Sequence, residues 1–406
     1  MVAAPLCSRA RSRATRRHFA GGLALAVLGA SVVAGCGATH ANGPSAKLGA
    51  PAIRASLATS VETSAGSWAT VAMGHLDEPL NTFWQLLFRP TGAALWSDRA
   101  AALAVATNGG LAVASQSGRS LVIGIRPSVD LKYSPLMATS DARSWTPSGP
   151  VDALSDEPDA LAIATGGEAM VLVGDGRAAR VLVSPGGLAG WHQIGTEDGL
   201  RTSKPGRACG VLSLTAVAYA AGNGLVGANC RRDGVVGIFL AHAGTWPLVG
   251  PSLPRALSNS GTDVLGLQTT TRGPCALVAA TSADSTDVVA ACTSGEELKW
   301  RVSPALPLSG REGVVSFGPA GDRGLYVLVS GSSHPDTLAV LRESAMTWST
   351  LPTPPSGTVT IVFGATGRVD ALSVADTLLT DSVLVGGVAW RKVQELHVAI
   401  QFGSSG

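Results

Sequence analysis

Residues 262–302 read TDVLGLQTTTRGPCALVAATSADSTDVVAACTSGEELKWRV. Three apolar runs rich in β-formers are separated by clusters of Gly, Ser, Asp and Arg, and a fourth short run follows at Trp300. Short apolar runs bounded by turn-forming residues are the pattern of antiparallel strands joined by hairpins. The same order returns in residues 313–351 as GVVSFGPAGDRG, LYVLVSGSSHPD, TLAVLRESAM and TWSTL. Beyond the first 35 residues, no stretch carries the period of an amphipathic helix roughly 12 residues long. An all-β chain is expected.

The pattern has a long period. Trp96, Trp145, Trp191, Trp246, Trp300, Trp348 and Trp390 recur at intervals of 42 to 55 residues, each shortly after a turn. Self-similarity at roughly 40–50 residues, with four short strands per unit and an aromatic landmark, is the signature of a β-propeller. Seven landmarks predict seven blades, with six as the alternative. The segment before Trp96 offers SWATVAMG and TFWQLLFRP and looks one strand short, while LHVAIQFGSSG is left over after Trp390. Pairing of the N- and C-terminal strands in one blade is therefore expected to close the ring, leaving it without open sheet edges.

Four of the six cysteines lie in this region: Cys209, Cys230, Cys275 and Cys292. Four cysteines allow three connectivities. CALVAATSADSTDVVAAC is nearly symmetric about Ala283-Asp284, which sets Cys275 opposite Cys292 across a hairpin. Cys209 and Cys230 stand at the start of the first strand and the end of the second in the unit ending at Trp246. The expected disulfides are Cys209–Cys230 and Cys275–Cys292, each closing a loop worth about 3 kcal/mol. No two cysteines have the CxxC spacing of a redox or zinc motif.

The N-terminus has a different character. Arg9, Arg11, Arg13, Arg16 and Arg17 precede an apolar run from Phe19 to Ala34. That run falls short of the roughly 20 residues of a membrane-spanning helix, and its flanks are those of an export signal. Val33-Ala34-Gly35-Cys36 resembles a bacterial lipobox. The resemblance implies cleavage before Cys36 and lipidation of its thiol, palmitate among the acyl chains; ordinary secretory cleavage nearby is the alternative. Thr15-Arg16-Arg17-His18-Phe19 resembles a twin-arginine motif, and the choice between the two export routes stays open. The expected organisation is a signal over 1–35, a flexible tether rich in Ala, Gly, Ser, Thr and Pro over 36–60, and the propeller over 61–406. Such a chain would be lipid-anchored on the extracytoplasmic side of the cell membrane. A formal net charge of +2 gives no electrostatic case for nucleic acid.

MATSDARSWTPSG, residues 137–149, resembles a degenerate Asp-box of the sialidase (BNR) propellers, Ser-x-Asp-x-Gly-x-Thr-Trp. Thr139, Asp141 and Trp145 match; Arg143 replaces the glycine, and the spacing to Trp is one residue short. In that family the box forms a turn and has no catalytic role, so the resemblance implies fold. Phe88-Arg89-Pro90 is close to the family's Phe/Tyr-Arg-Ile-Pro motif, whose arginine binds the substrate carboxylate, but lacks the Ile. Retaining sialidases also need a tyrosine nucleophile beside a carboxylate. Tyr133, near Asp130, is the one candidate, since Tyr219 and Tyr326 sit in strand runs.

Two stretches dense in ionisable groups, 75–98 and 126–141, are candidates for a ligand face, because long propeller loops line one side of the ring. The candidate residues are His75, Asp77, Glu78, Arg89, Arg126, Asp130 and Tyr133, while Phe83, Trp84 and Phe88 are expected to pack into core. The histidines have no metal-ligand spacing, and SDEPD at 155–159 reads as a solvated turn rather than a Ca²⁺ loop. No catalytic residue, metal or cofactor is assigned. The expected function is a non-catalytic binding or scaffolding module whose ligand is an envelope protein or glycan. A sialidase-like glycoside hydrolase and an assembly factor for an envelope complex are the alternatives.

Overall fold

The computed structural model describes residues 60–398, apart from 75–81, 100–110, 117–118, 125–135, 140, 148–156, 175–177, 187, 221, 242–243, 271, 284, 294–297, 309–311, 322–323, 332–334 and 365. The described part is nearly all-β and consists of antiparallel sheets in chain order. The first runs β1 (Ser60–Thr63), β2 (Gly66–Gly74), β3 (Thr82–Pro90) and β4 (Ser97–Asp98). The second is β5 (Leu111–Gln116), β6 (Arg119–Gly124), β7 (Leu136–Thr139) and β8 (Thr146–Pro147). The third is β9 (Glu157–Ile163), β10 (Ala169–Gly174), β11 (Arg180–Ser184) and β12 (His192–Thr196). Glu157 and Asp159 are thus strand residues, with Glu157 paired to Gly174, and not the free turn expected of SDEPD.

Two short helices follow, α1 (Glu197–Thr202) and α2 (Lys204–Cys209). An eight-stranded sheet comes next, in two halves. One half holds β13 (Val211–Ala220), β14 (Asn223–Cys230) and β15 (Gly237–Ala241); the other holds β16 (Gly261–Thr269), β17 (Pro274–Thr281), β18 (Thr286–Cys292), β19 (Arg301–Val302) and β20 (Leu306–Leu308). The Cys230–Thr262 pairing joins β14 to β16. The last two sheets are β21 (Gly313–Pro319), β22 (Gly324–Ser330), β23 (Thr337–Arg342) and β24 (Thr347–Thr350), then β25 (Thr358–Phe363), β26 (Val369–Ala375), β27 (Leu378–Val385) and β28 (Ala389–His397).

The landmark tryptophans take the position that their spacing predicts. Trp96, Trp145, Trp191 and Trp300 stand just before β4, β8, β12 and β19, while Trp348 and Trp390 lie within β24 and β28. Each therefore marks the last strand of its unit. Trp246 opens an irregular segment that bridges back onto its own unit, at Phe239–Leu248 on β15 and at Val235–Ser252. Apolar clusters lie between consecutive sheets; one joins Leu265, Leu277 and Val288 to Phe317, Val327 and Ala339. Central strands such as β17 are covered on both faces, which is why they read as unbroken apolar runs rather than as alternation.

Both expected disulfides are present. Cys275 pairs with Cys292 in register across the β17–β18 hairpin. Cys209 is not a strand residue: it ends α2, and its disulfide ties the helix to the end of β14.

First strands of successive units lie side by side, from β1 against β5 through β21 against β25, and β25 in turn meets β1. The expected exchange of a C-terminal strand into the first sheet does not occur among the described residues. That sheet is complete within residues 60–98, because Ser60–Thr63 supplies the strand thought missing, in register with Gly66–Ala69. Leu396 and His397 pair with Leu379 and Leu378 in the last sheet, and residues 399–406 lie outside the described residues. Side chains join the two sheets instead. Ser60 Oγ donates to Ile361 O at 3.1 Å. The Gln394 amide accepts from Trp96 N at 2.8 Å and donates to Trp96 O at 2.9 Å. Gln394→Ala strands both Trp96 backbone groups, so a loss of about 1–3 kcal/mol is expected in urea unfolding; a change within a few tenths would mean that this bridge carries no load.

Candidate functional site

Of the residues expected to form a ligand face, His75, Asp77, Glu78, Arg126, Asp130 and Tyr133 lie outside the described residues, as does Cys36. Arg89 is described, and its placement corrects the expectation. It is 5% exposed, at the end of β3. Its Nη1 is 2.7 Å from Asp370 Oδ2, its Nη2 donates to Ser67 Oγ, and its guanidinium lies over the Trp96 ring at 4.6 Å. A guanidinium enclosed in this way is consumed by structure and is not offered to a substrate carboxylate. Phe88 packs as expected, its ring 4.4 Å from that of Trp68.

The Arg89 contact extends into a buried ion network. Arg368 Nε reaches Asp370 Oδ1 at 2.5 Å, and Arg368 Nη2 reaches Asp381 Oδ2 at 2.9 Å. Asp370 and Asp381 are 0% and 1% exposed. Burial first, and then the charge of Asp370, push the Asp381 carboxyl up to about 7 against the pull of Arg368 and Arg89.

Asp141 does what its motif implies. Its Oδ1 accepts from Arg143 N and Ser144 N, both at 2.8 Å, and from Thr139 Oγ1, while Ala142 N donates to Thr139 Oγ1. These backbone donors hold the Asp141 carboxyl below its ordinary range. The tight turn places Trp145 edge-on to Trp68.

A cleft of about 880 Å³ opens where α1 and α2 stand over β12 and the Trp246 segment. That volume lies within the range of small-molecule sites. Ile194, Leu200, Pro205, Ala208, Trp246 and Leu248 form its apolar wall; Gln193, Thr196, Ser203, Lys204 and Thr245 are its polar members. Trp246 packs so closely on β12 that a Cβ at Gly195 would stand 2.4 Å from its ring. The helical wall is rigidly held. Glu197 pairs with Arg201 and accepts from Leu214 N at 3.2 Å, and Arg201 donates to the carbonyls of Val211 and Leu212.

Six residues are too few to show a helical period, so the sequence pattern does not announce these helices. Their caps were visible. Thr196 accepts from Gly199 N, Ser203 accepts from Gly206 N just ahead of Pro205, and Gly210 closes α2 in the left-handed region at φ 69°. A second cavity, of about 460 Å³, is lined by the first strand of each unit, through Glu62, Val113, Ile163, Val217, Gln268, Pro319 and Phe363.

Comparison of the sequence with protein-family models and with curated proteins finds no match. Solved structures do resemble the fold. The periplasmic gluconolactonase of Pseudomonas aeruginosa superposes with a TM-score of 0.50 at 11% identity, covering 81% of this chain and 95% of its own. The six-bladed β-propeller lectin of Aleuria aurantia gives 0.41 at 11% identity, over 76% of this chain and 99% of the lectin. A prolyl endopeptidase gives 0.44 at 13% identity over 70% of this chain, which spans 42% of that enzyme's length. At these identities the likeness is one of fold alone: an all-β, propeller-like architecture.

The ion network sets a pH dependence. An unfolded Asp titrates near 4, whereas folded Asp381 keeps its proton to about 7. Between these values the folded chain binds more protons, so this group lowers stability as pH rises from about 4 to about 7. Asp381→Asn removes that component. Urea midpoints measured across this interval are expected to fall less steeply with pH in the variant, and identical slopes would contradict the assignment.

Proposed function

We propose that this protein is a seven-bladed β-propeller, held on the extracytoplasmic side of the cell membrane through lipid on Cys36, that binds an envelope protein or glycan without transforming it. The blade count rests on the seven tryptophan-marked units and on a central cavity to which every unit contributes its first strand. Ring closure rests on the contacts of β25 with β1 and of Gln394 with Trp96. Export is supported by the two disulfides, which persist in oxidising compartments. The anchor is the reading of the lipobox-like segment.

The observation that carries the binding role is the cleft at Trp246. It joins a tryptophan and an apolar wall to hydroxyl, amide and ammonium groups. Among the described residues, Lys204 is the one ionisable group lining it, and binding through a tryptophan, hydroxyls and an ammonium needs no matched proton donor and acceptor of the kind acid–base hydrolysis uses. The sialidase-like alternative loses Arg89, whose guanidinium is held by Asp370.

The test is crosslinking and recovery from intact cells carrying the lipidated protein, with Trp246→Ala, Lys204→Glu and Cys36→Ala compared. Tryptophan at a binding centre is worth about 2 kcal/mol or more, so Trp246→Ala is expected to cut recovery of the specific ligand at least about tenfold. Lys204→Glu, an exposed change, is expected to reduce it with the fold intact. Cys36→Ala is expected to lose incorporation of labelled palmitate. Undiminished recovery with both cleft variants would remove the cleft from the proposal, and undiminished palmitate labelling of Cys36→Ala would remove the anchor.

A further inference from the structure

Three buried side chains meet at the open end of the β17–β18 hairpin, away from the cleft and the ion network. Cys275 Sγ, Cys292 Sγ and a carboxylate oxygen of Glu343 all lie within 4.8 Å of one another. The residues are 0%, 2% and 5% exposed. Glu343 comes from the neighbouring sheet, in the turn between β23 and β24. Its Oε2 accepts from Thr270 Oγ1 at 3.0 Å, while Oε1 is buried with no hydrogen-bond partner among the described residues. Leu325, Leu341 and Met346 pack around the two cysteines.

A carboxylate oxygen in such surroundings without a donor carries an uncompensated desolvation cost. A disulfide is neutral and has no proton to offer it. Burial accordingly holds the Glu343 carboxyl above its ordinary range, only partly opposed by Thr270 and Arg272. Cys209–Cys230 has no equivalent: among the described residues, this is the one cluster of three ligand-type groups.

We propose that the Cys275–Cys292 disulfide masks a metal site, and that in the reduced chain both thiolates and the Glu343 carboxylate bind one divalent cation of the zinc class. Two cysteines on paired strands present both sulfurs to one point, and the adjacent sheet supplies the oxygen. Zinc takes thiolate sulfur and carboxylate oxygen in four-coordinate tetrahedral sets, of which these residues supply three ligands. The hydrogen bond from Thr270 fixes the Glu343 carboxylate beside the two sulfurs. Hard cations such as Ca²⁺ and Mg²⁺ require oxygen-rich shells that this cluster lacks.

Opening the site needs a reductant, for which a dithiol suffices. Two electrons and two protons pass from the dithiol to the sulfurs; the Cys275–Cys292 bond breaks, and the reductant leaves as its cyclic disulfide. Metal binding then releases the two thiol protons. Oxidation reverses both steps and expels the cation, so the site is shut in an oxidising compartment and open in a reducing one.

The experiment uses the full chain with Cys209→Ala and Cys230→Ala, reduced with dithiol, freed of reductant without air, and titrated with Co²⁺ as the probe. One equivalent per chain is expected, with thiolate-to-cobalt charge-transfer absorption, displacement by Zn²⁺, and no binding before reduction. Glu343→Gln is expected to weaken binding at least about tenfold while the far-ultraviolet dichroism stays that of the parent. The same titration on the reduced chain with all four cysteines guards against a folding defect in the double variant. Absence of the charge-transfer band in both reduced chains would overturn the proposal, and so would equal affinity in Glu343→Gln.

Discussion

A buried ion pair between Arg89 on β3 and Asp370 on β26 joins the first sheet to the last, at the junction where these two sheets cover each other's apolar faces. Each sheet covers its apolar faces with its neighbours, so the first and last would each expose one face if they did not meet. The cluster at this junction places Val71 and Leu87 against Val359, Val362 and Leu372. Around it, Arg368 contacts both Asp370 and Asp381, and Gln394 pins the Trp96 backbone. Breaking a buried pair by removing one partner leaves an uncompensated charge and typically costs about 3–5 kcal/mol. The junction is therefore specific as well as apolar.

How much of this could be read beforehand follows from the range of each interaction. Hairpins are local, so the Cys275–Cys292 pairing was legible from near-mirror symmetry, and the β17–β18 register bears it out. The Asp141 turn was legible for the same reason, since all its hydrogen bonds fall between Thr139 and Ser144. The tryptophan period was legible because repeated units impose repeated constraints. Arg89 looks free in the local sequence because its partner Asp370 is at the opposite end of the chain, and no local pattern announces that pairing. Ser60–Thr63 was overlooked as a strand because four residues with one turn leave little periodicity. The first sheet then seemed to need a strand from the C-terminus.

The cleft was invisible for a related reason. Trp246 was read as one landmark among seven, but its segment departs from the regular fourth strand and lets the ring pack on Gly195 of the preceding sheet. The two helices that complete the cleft are set by caps rather than by amphipathic pattern. Departures from the repeat are where a repetitive fold can acquire a site, because the regular units are committed to one another. The Cys275–Cys292–Glu343 cluster is a second departure, placing a carboxylate where apolar packing would otherwise be expected.

Native-state hydrogen exchange resolved by segment decides whether the first and last sheets are sealed together. If the first and last sheets seal one closed unit, the amides of β2, β3, β26 and β27 exchange only through global unfolding, with the same opening free energy as β17 in the middle of the chain. Exchange of either terminal sheet through a separate opening of lower free energy, with β17 still protected, would contradict closure and the account built on it.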